Sequence, residues 1–210
     1  ILGPSGCGKS VTLKHIIGIE KADRGRVIVA GEDMNVLQGK ALSTLRKRIG
    51  VLFQSSALFD SMTVKENVAF GLRMHTRASE SEISARVNEC LEEVELSQSE
   101  EMMPVELSGG MRKRAALARA IAMSPDFILY DEPTTGLDPH TANVVGELIL
   151  KLQNDLDVTS IVVTHDMSLA RNISDNLALL YGGEVAAYGS PDEIEESENE
   201  TFRRFVEGKL

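Results

Sequence analysis

The eight residues "GPSGCGKS" at 3–10 restrict this chain more than any other stretch. They satisfy the pattern G-x-x-x-x-G-K-[ST] in full. A loop of this kind normally follows a buried strand and opens a helix, which commits the surrounding chain to strand–loop–helix order. Gly3, Gly6 and Gly8 let the main chain curl so that successive N–H groups converge, and Pro4, Ser5 and Cys7 fill the positions between them. A helix opening near Lys9 adds its positive end. The resulting concavity suits phosphate oxygens, with Lys9 expected to bridge the β- and γ-phosphates and Ser10 to ligate Mg²⁺. Val11 stands where many such loops carry a second hydroxyl that reaches the α-phosphate, so contacts there are expected to be weaker.

The rest of the chain reads as an α/β sheet protein. Strand-like runs occur at 26–30, 49–54, 126–132 and 160–165, followed by a pair over 177–190 turned by Gly182–Gly183. The runs at 127–130 and 161–163 are apolar without alternation, as expected for parallel strands covered on both faces. Helical patterns fall at 9–18, 79–95, 110–123, 139–154 and 167–173. Residues 56–106 carry no strand signal and read as a helical subdomain inserted into the core. This divides the chain into a first core part (1–55), the helical subdomain (56–106), a second core part (107–190) and an acidic tail with a short amphipathic helix (191–210).

Two further stretches carry chemistry. In "FILYDE" (127–132), four apolar residues deliver Asp131 and Glu132 to the carboxyl end of a buried strand, where ligand sites of α/β sheets lie. Asp131 can hold Mg²⁺ through water, and Glu132 can polarise an attacking water. In "LSGGM" (107–111), two glycines precede a basic, alanine-rich stretch, giving a helix start whose N–H groups face an anion. Taken alone, the following "MRKR" has a bland alternative as a merely solvated helix face. His15, His75 and His140 fit no motif.

Composition narrows the partners. The chain has 22 basic and 32 acidic side chains and a net charge of −10, which disfavours a broad nucleic-acid-binding surface and direct adhesion to anionic lipid. Cys7 and Cys90 are the only cysteines, expected as reduced thiols. No apolar run approaches the roughly 20 residues of a bilayer span.

Taken in order, "GPSGCGKS", "LFQ", "LSGGMRKR", "FILYDEPTTGLDP" and "VVTHD" resemble the nucleotide-binding subunits of ABC transporters over nearly the whole chain. The resemblance implies a P-loop NTPase core and an ATPase using ATP and Mg²⁺. It makes Gln54 the Q-loop glutamine that contacts Mg²⁺ and the nucleophilic water, and His165 the switch histidine at the γ-phosphate. Asp138 becomes the D-loop aspartate that communicates between protomers. Ser108, Gly109 and Gly110 would clamp ATP held by a second copy, which implies a head-to-tail dimer. Family domains begin earlier, with an aromatic residue that stacks on adenine. The chain therefore reads as N-terminally truncated, with weaker nucleotide binding and lower stability expected than for a restored chain.

Within that family, "VLFQSSALFDSMTVKENVAFGLR", "LSGGMRKRAALARAIA" and the terminal "FxxFVEG" are similar to ATPases that work with Mce-type lipid-binding subunits in Mla-type phospholipid trafficking. This implies membrane permease partners, an Mce-type subunit and a place on the cytoplasmic face of a bacterial inner membrane. No nucleic-acid partner is expected. Leu58, Phe59 and Met62 would then either receive a permease helix or simply pack into the helical insertion. The terminal helix would dock on the second protomer or on a small accessory protein. The alternative is an ATPase of an amino-acid or metal importer. An ABC protein acting on ribosomes or DNA is a more distant reading, since the long coiled-coil insertion or fused second domain usual there is missing.

Overall fold

The computed structural model of the protein describes residues 1–209. The chain divides into two compact units, residues 1–43 with residues from 161 onward, and residues 44–160. The first unit opens with Leu2, fully buried and bridging both Thr164 and Leu179. The glycine loop follows and runs into helix α1 (Lys9–Ile17), which Gly18 ends in the left-handed conformation. A short antiparallel pair comes next, β1 (Ile28–Val29) with β2 (Glu32–Asp33). Its two-residue turn, Ala30–Gly31, has positive φ at both positions, the geometry that matches strand twist in a tight hairpin. The strand expected over 26–30 is thus only two residues long, because the chain turns back at once. Helix α2 (Gly39–Arg46), absent from the sequence expectations, leads out of this unit.

The second unit contains β3 (Ile49–Leu52), then α3 (Val64–His75), α4 (Glu80–Glu93) and a 3₁₀ turn over Pro104–Glu106. Both helices start at capping boxes, Thr63 with Glu66 and Ser79 with Glu82, each satisfying two otherwise orphan N–H groups. Helix α5 (Gly109–Ile121) packs on β3, α3 and α4. Its run of Ala115, Ala116, Ala118 and Ala120 is buried, and side chains this small let the helix lie close to its neighbours. Strand β4 (Phe127–Asp131) pairs in parallel with β3, from Ile49 opposite Phe127 to Leu52 opposite Tyr130. Ile128, Leu129 and Tyr130 are all fully buried, as expected for a strand covered on both faces. Helix α6 (Pro139–Leu156) then leads to β5 (Thr159–Val163), giving the sheet order β3-β4-β5.

Back in the first unit, α7 (Met167–Ile173) precedes an antiparallel hairpin, β6 (Leu177–Tyr181) with β7 (Glu184–Gly189), turned at Gly182–Gly183 as expected. The acidic tail folds as two helices, α8 (Pro191–Glu196) and α9 (Glu200–Val206). Ile194 and Phe202, each 3% exposed, join Leu2, Ala170, Leu177 and Leu179 in one apolar cluster. The end of the chain is therefore part of this unit's core. Among the described residues, no helix is long and apolar enough to cross a membrane.

Candidate functional site

The residues singled out from the sequence fall into two groups, one in each unit. In the first unit, Gly3, Gly6 and Gly8 have φ of 156°, 80° and 106°, so the loop curls at its three glycines. Gly3 is also closely approached. A Cβ there would lie 2.5 Å from both the Cys7 Sγ and the Leu180 carbonyl oxygen. The buried Lys9 Nζ donates to the carbonyls of Gly3 (2.8 Å) and Pro4 (3.1 Å), closing the curl from inside. Ser10 is half-buried on the first turn of α1, while Ser5 and Val11 are exposed. Leu2, directly before the loop, bridges Thr164, directly before His165. The strand pairing therefore brings the exposed His165 to the start of the loop. Asp166 caps α7 by accepting from the N–H groups of Ser168 and Leu169.

The second unit assembles the other group at one end of its parallel strand pair. Two residues beyond the Leu52–Tyr130 pair lie Gln54 on one segment and Glu132 on the other, at matching register. Asp131 ends β4, half-buried, and Glu132 is buried with φ 48°, a left-handed conformation unusual outside glycine. The Thr135 hydroxyl donates to Glu132 Oε2 (3.2 Å) and so orients the carboxylate. Ser108 caps α5, its hydroxyl accepting from the Met111 N–H. One N–H of the helix start expected to face an anion is thus satisfied by the helix's own serine. Gly110 abuts the Thr141 methyl group, which a Cβ would strike, and a Cβ at Gly109 would come 3.2 Å from Leu137. Asp138 caps α6, accepting from the Thr141 N–H and hydroxyl. The hydroxyl bond first, and the N–H second, hold its carboxyl below the usual range.

Lys113 is the residue that reading the sequence does not single out. It belongs to "MRKR", for which a solvated face is the bland alternative, yet it is only 4% exposed. Its Nζ donates to the Gln54 carbonyl (2.6 Å) and the Glu132 carbonyl (3.3 Å). Burial pushes its pKa down, while the charges of Asp131 and Glu132 pull it back up. The available signal was helical spacing. Lys113 sits three to four residues before the buried Ala116 and Leu117, on the buried stripe of α5. Arg119, two turns on, donates to the carbonyls of Ser56 (2.9 Å) and Ala57 (2.7 Å). Buried Asn67 bonds both the N–H and the carbonyl of Phe59 and also the carbonyls of Met62 and Thr63. Phe59 itself packs on Phe70 and remains 42% exposed.

Comparison with known proteins identifies the family whose motif order the sequence resembles. A family description reading "ABC transporter" matches residues 1–135. The chain belongs to the ABC transporter family. The chain is 42% identical over 208 residues to the intermembrane phospholipid transport system ATP-binding protein MlaF of Escherichia coli, covering 99% of this chain and 77% of that protein. It is 42% identical over 209 residues to a probable ribonucleotide transport ATP-binding protein of Mycobacterium leprae, covering 100% of this chain and 60% of that protein. The chain thus spans about three fifths of the length of the mycobacterial relatives it matches. Two solved ABC proteins share the fold. One is a dimeric post-hydrolysis ATP-binding cassette bound to ADP and Pi, with TM-score 0.82 and 36% identity over 90% of this chain and 83% of that one. The other is cbiO1 of Clostridium perfringens, part of an ABC transporter complex, with TM-score 0.85 and 30% identity over 98% of this chain and 81% of that one. The mixed α/β fold with a parallel strand pair is therefore that of ABC cassettes, as expected from the motif order.

The donor chemistry is also consistent with a hard cation. Ser10 in the first unit offers a hydroxyl oxygen, and Gln54 and Asp131 in the second offer carboxamide and carboxylate oxygens, donor types that each suit a hard cation such as Mg²⁺. Among the described residues, no three His, Cys, Asp or Glu side chains gather as a metal-holding group.

Proposed function

We propose that this chain is the ATP-binding and ATP-hydrolysing subunit of a bacterial ABC transporter that moves phospholipid between inner and outer membranes. The catalytic half of this reading is carried by Glu132, buried at the end of β4 with its carboxylate oriented by Thr135. In it, the N–H groups of Ser5 to Ser10 and the Lys9 ammonium hold the phosphates of ATP. Asp131, Gln54 and Ser10 would hold Mg²⁺, which when bound would supply positive charge to the phosphates. Glu132 accepts a proton from the attacking water, and His165 contacts the γ-phosphate. Ser108, Gly109 and Gly110 clamp the nucleotide of a second copy in a head-to-tail dimer, with Asp138 at the junction.

The transport half rests on the likeness to MlaF, which extends over almost the whole chain. It entails membrane permease subunits, an Mce-type lipid-binding subunit and peripheral attachment at the cytoplasmic face of the inner membrane. Phe59, its main chain held by Asn67 and its ring exposed, is the apolar side chain offered to a permease helix. A second reading, ribonucleotide transport, is favoured by the equally similar mycobacterial relative named for ribonucleotides. Capture of the Glu132→Gln full chain with ATP from detergent-solubilised native membranes separates them. A permease with an Mce-type subunit and co-purifying phospholipid is the expected result. A permease with a soluble solute-binding protein, or with bound ribonucleotide, overturns phospholipid transport. Ribosomes or DNA without a permease overturn transport altogether.

A further inference from the structure

Lys113 is a buried cation whose ammonium donates to two main-chain carbonyls, those of Gln54 and Glu132, at matching register beyond β3 and β4. Filling space there would need only an apolar side chain, and burying an ammonium costs free energy unless its bonds are used. What those bonds hold is unusual. Glu132 is a non-glycine residue at φ 48°, a conformation that persists only where its surroundings enforce it. The Glu132 carbonyl accepts from the Lys113 ammonium and from the Thr135 N–H (3.3 Å), so the peptide plane is gripped from two directions. That plane sets where the Glu132 side chain leaves the main chain.

We propose that Lys113 is a positioning residue for hydrolysis: through the two carbonyls it holds, it fixes the backbone of Glu132 and couples it to the segment at Gln54. The inference rests on the reading of Glu132 as the proton acceptor. Arg119 extends the same device. From the same helix it grips the carbonyls of Ser56 and Ala57, both at positive φ (65° and 47°). Helix α5 therefore holds residues 54–57 at both ends, and one of its two grips also reaches Glu132. A displacement of that segment is transmitted through Lys113 to the carboxylate's anchor.

The test compares kcat, KM for ATP and Tm in full-chain Lys113→Met, Lys113→Gln and Lys113→Arg, with Glu132→Gln as reference. Lys113→Met should lower kcat by about tenfold or more while KM changes less than about twofold, because misplacing a catalytic group costs rate and not ground-state binding. Lys113→Gln keeps two N–H donors and should recover most of the lost kcat. Adding Lys113→Met to Glu132→Gln should cost no further activity. A lower Tm with unchanged kcat in Lys113→Met overturns the proposal, leaving only a structural tie. If Lys113→Met does not fold, Lys113→Arg decides: its displaced donors should lower kcat at constant KM, and wild-type kcat overturns the proposal. Glu132→Gln hydrolysing ATP like wild type would instead overturn the role of Glu132. Loss of turnover in Glu132→Gln with normal Lys113 variants would remove only the present inference.

Discussion

The glycine loop at 3–10 and the Gln54–Lys113–Glu132 cluster are held in opposite ways. The loop is shaped from within: three glycines at positive φ bend it, and Lys9 ties down carbonyls six and five residues away. The cluster is shaped from outside, by Lys113 reaching 59 residues back and 19 residues forward along the chain. A loop determined by local torsions tolerates changes in its surroundings. A cluster determined by long-range bonds fails when one distant side chain goes.

Chemistry should separate the two regions most strongly. Glu132→Gln is expected to reduce ATP turnover by about 10²–10⁴-fold while leaving ATP affinity near wild type. Lys9→Ala should instead lose ATP binding, which isothermal titration or equilibrium dialysis would read directly. Equal loss of binding in both variants would break the contrast. Next in size is Phe202→Ala, which empties part of the cluster containing Leu2 just ahead of the loop. It should destabilise the protein by about 3–5 kcal/mol in chemical denaturation. Affinity for ATP measured well below Tm should survive, since the loop's torsions are its own, and a matching loss of affinity would show the loop to depend on its surroundings.

Smaller effects sharpen the comparison residue by residue. Gly3→Ala faces both a disfavoured φ and the backbone oxygen of Leu180, so it should cost more than about 1 kcal/mol with no single-residue rescue. Gly110→Ala collides instead with the Thr141 methyl group, and Thr141→Ser removes that methyl while keeping the hydroxyl on Asp138. Thermal melts should therefore show Gly110→Ala rescued by Thr141→Ser. Thiol labelling should give the smallest but cleanest difference. Cys90 is fully buried, and burial pushes its pKa up from 9.0 to about 11, whereas Cys7 is half-buried in the loop. At pH 8, Cys7 should react readily and be protected by ATP, and Cys90 should react only as fast as the protein opens. Because the folded thiol keeps its proton to higher pH than the unfolded one, its contribution to stability is complete below pH 9 and is lost as pH rises towards about 11. Rapid labelling of Cys90 in the native protein would contradict its burial.

The same division decides what could be read from the amino-acid order. Spacing and residue type are enough for features whose physics is local. The glycine loop at 3–10, the buried strand 127–131 with carboxylates at its end, and the glycine turn at 182–183 are all of this kind. So is the order of motifs that marks the family. Sequence could not foresee that the tail would place Phe202 in a core beside Leu2, because nothing in "TFRRFVEG" says which surface waits for its apolar side. Nor could it foresee the tight turn at Ala30–Gly31, where a β-like run ends after two residues. Lys113 is the sharpest case. In the sequence it is one of three basic residues in a row, and only the parallel register of β3 and β4 brings two carbonyls within its reach. Local torsion is written in residue identity, whereas long-range hydrogen bonds exist only once the sheet and its helices have been packed.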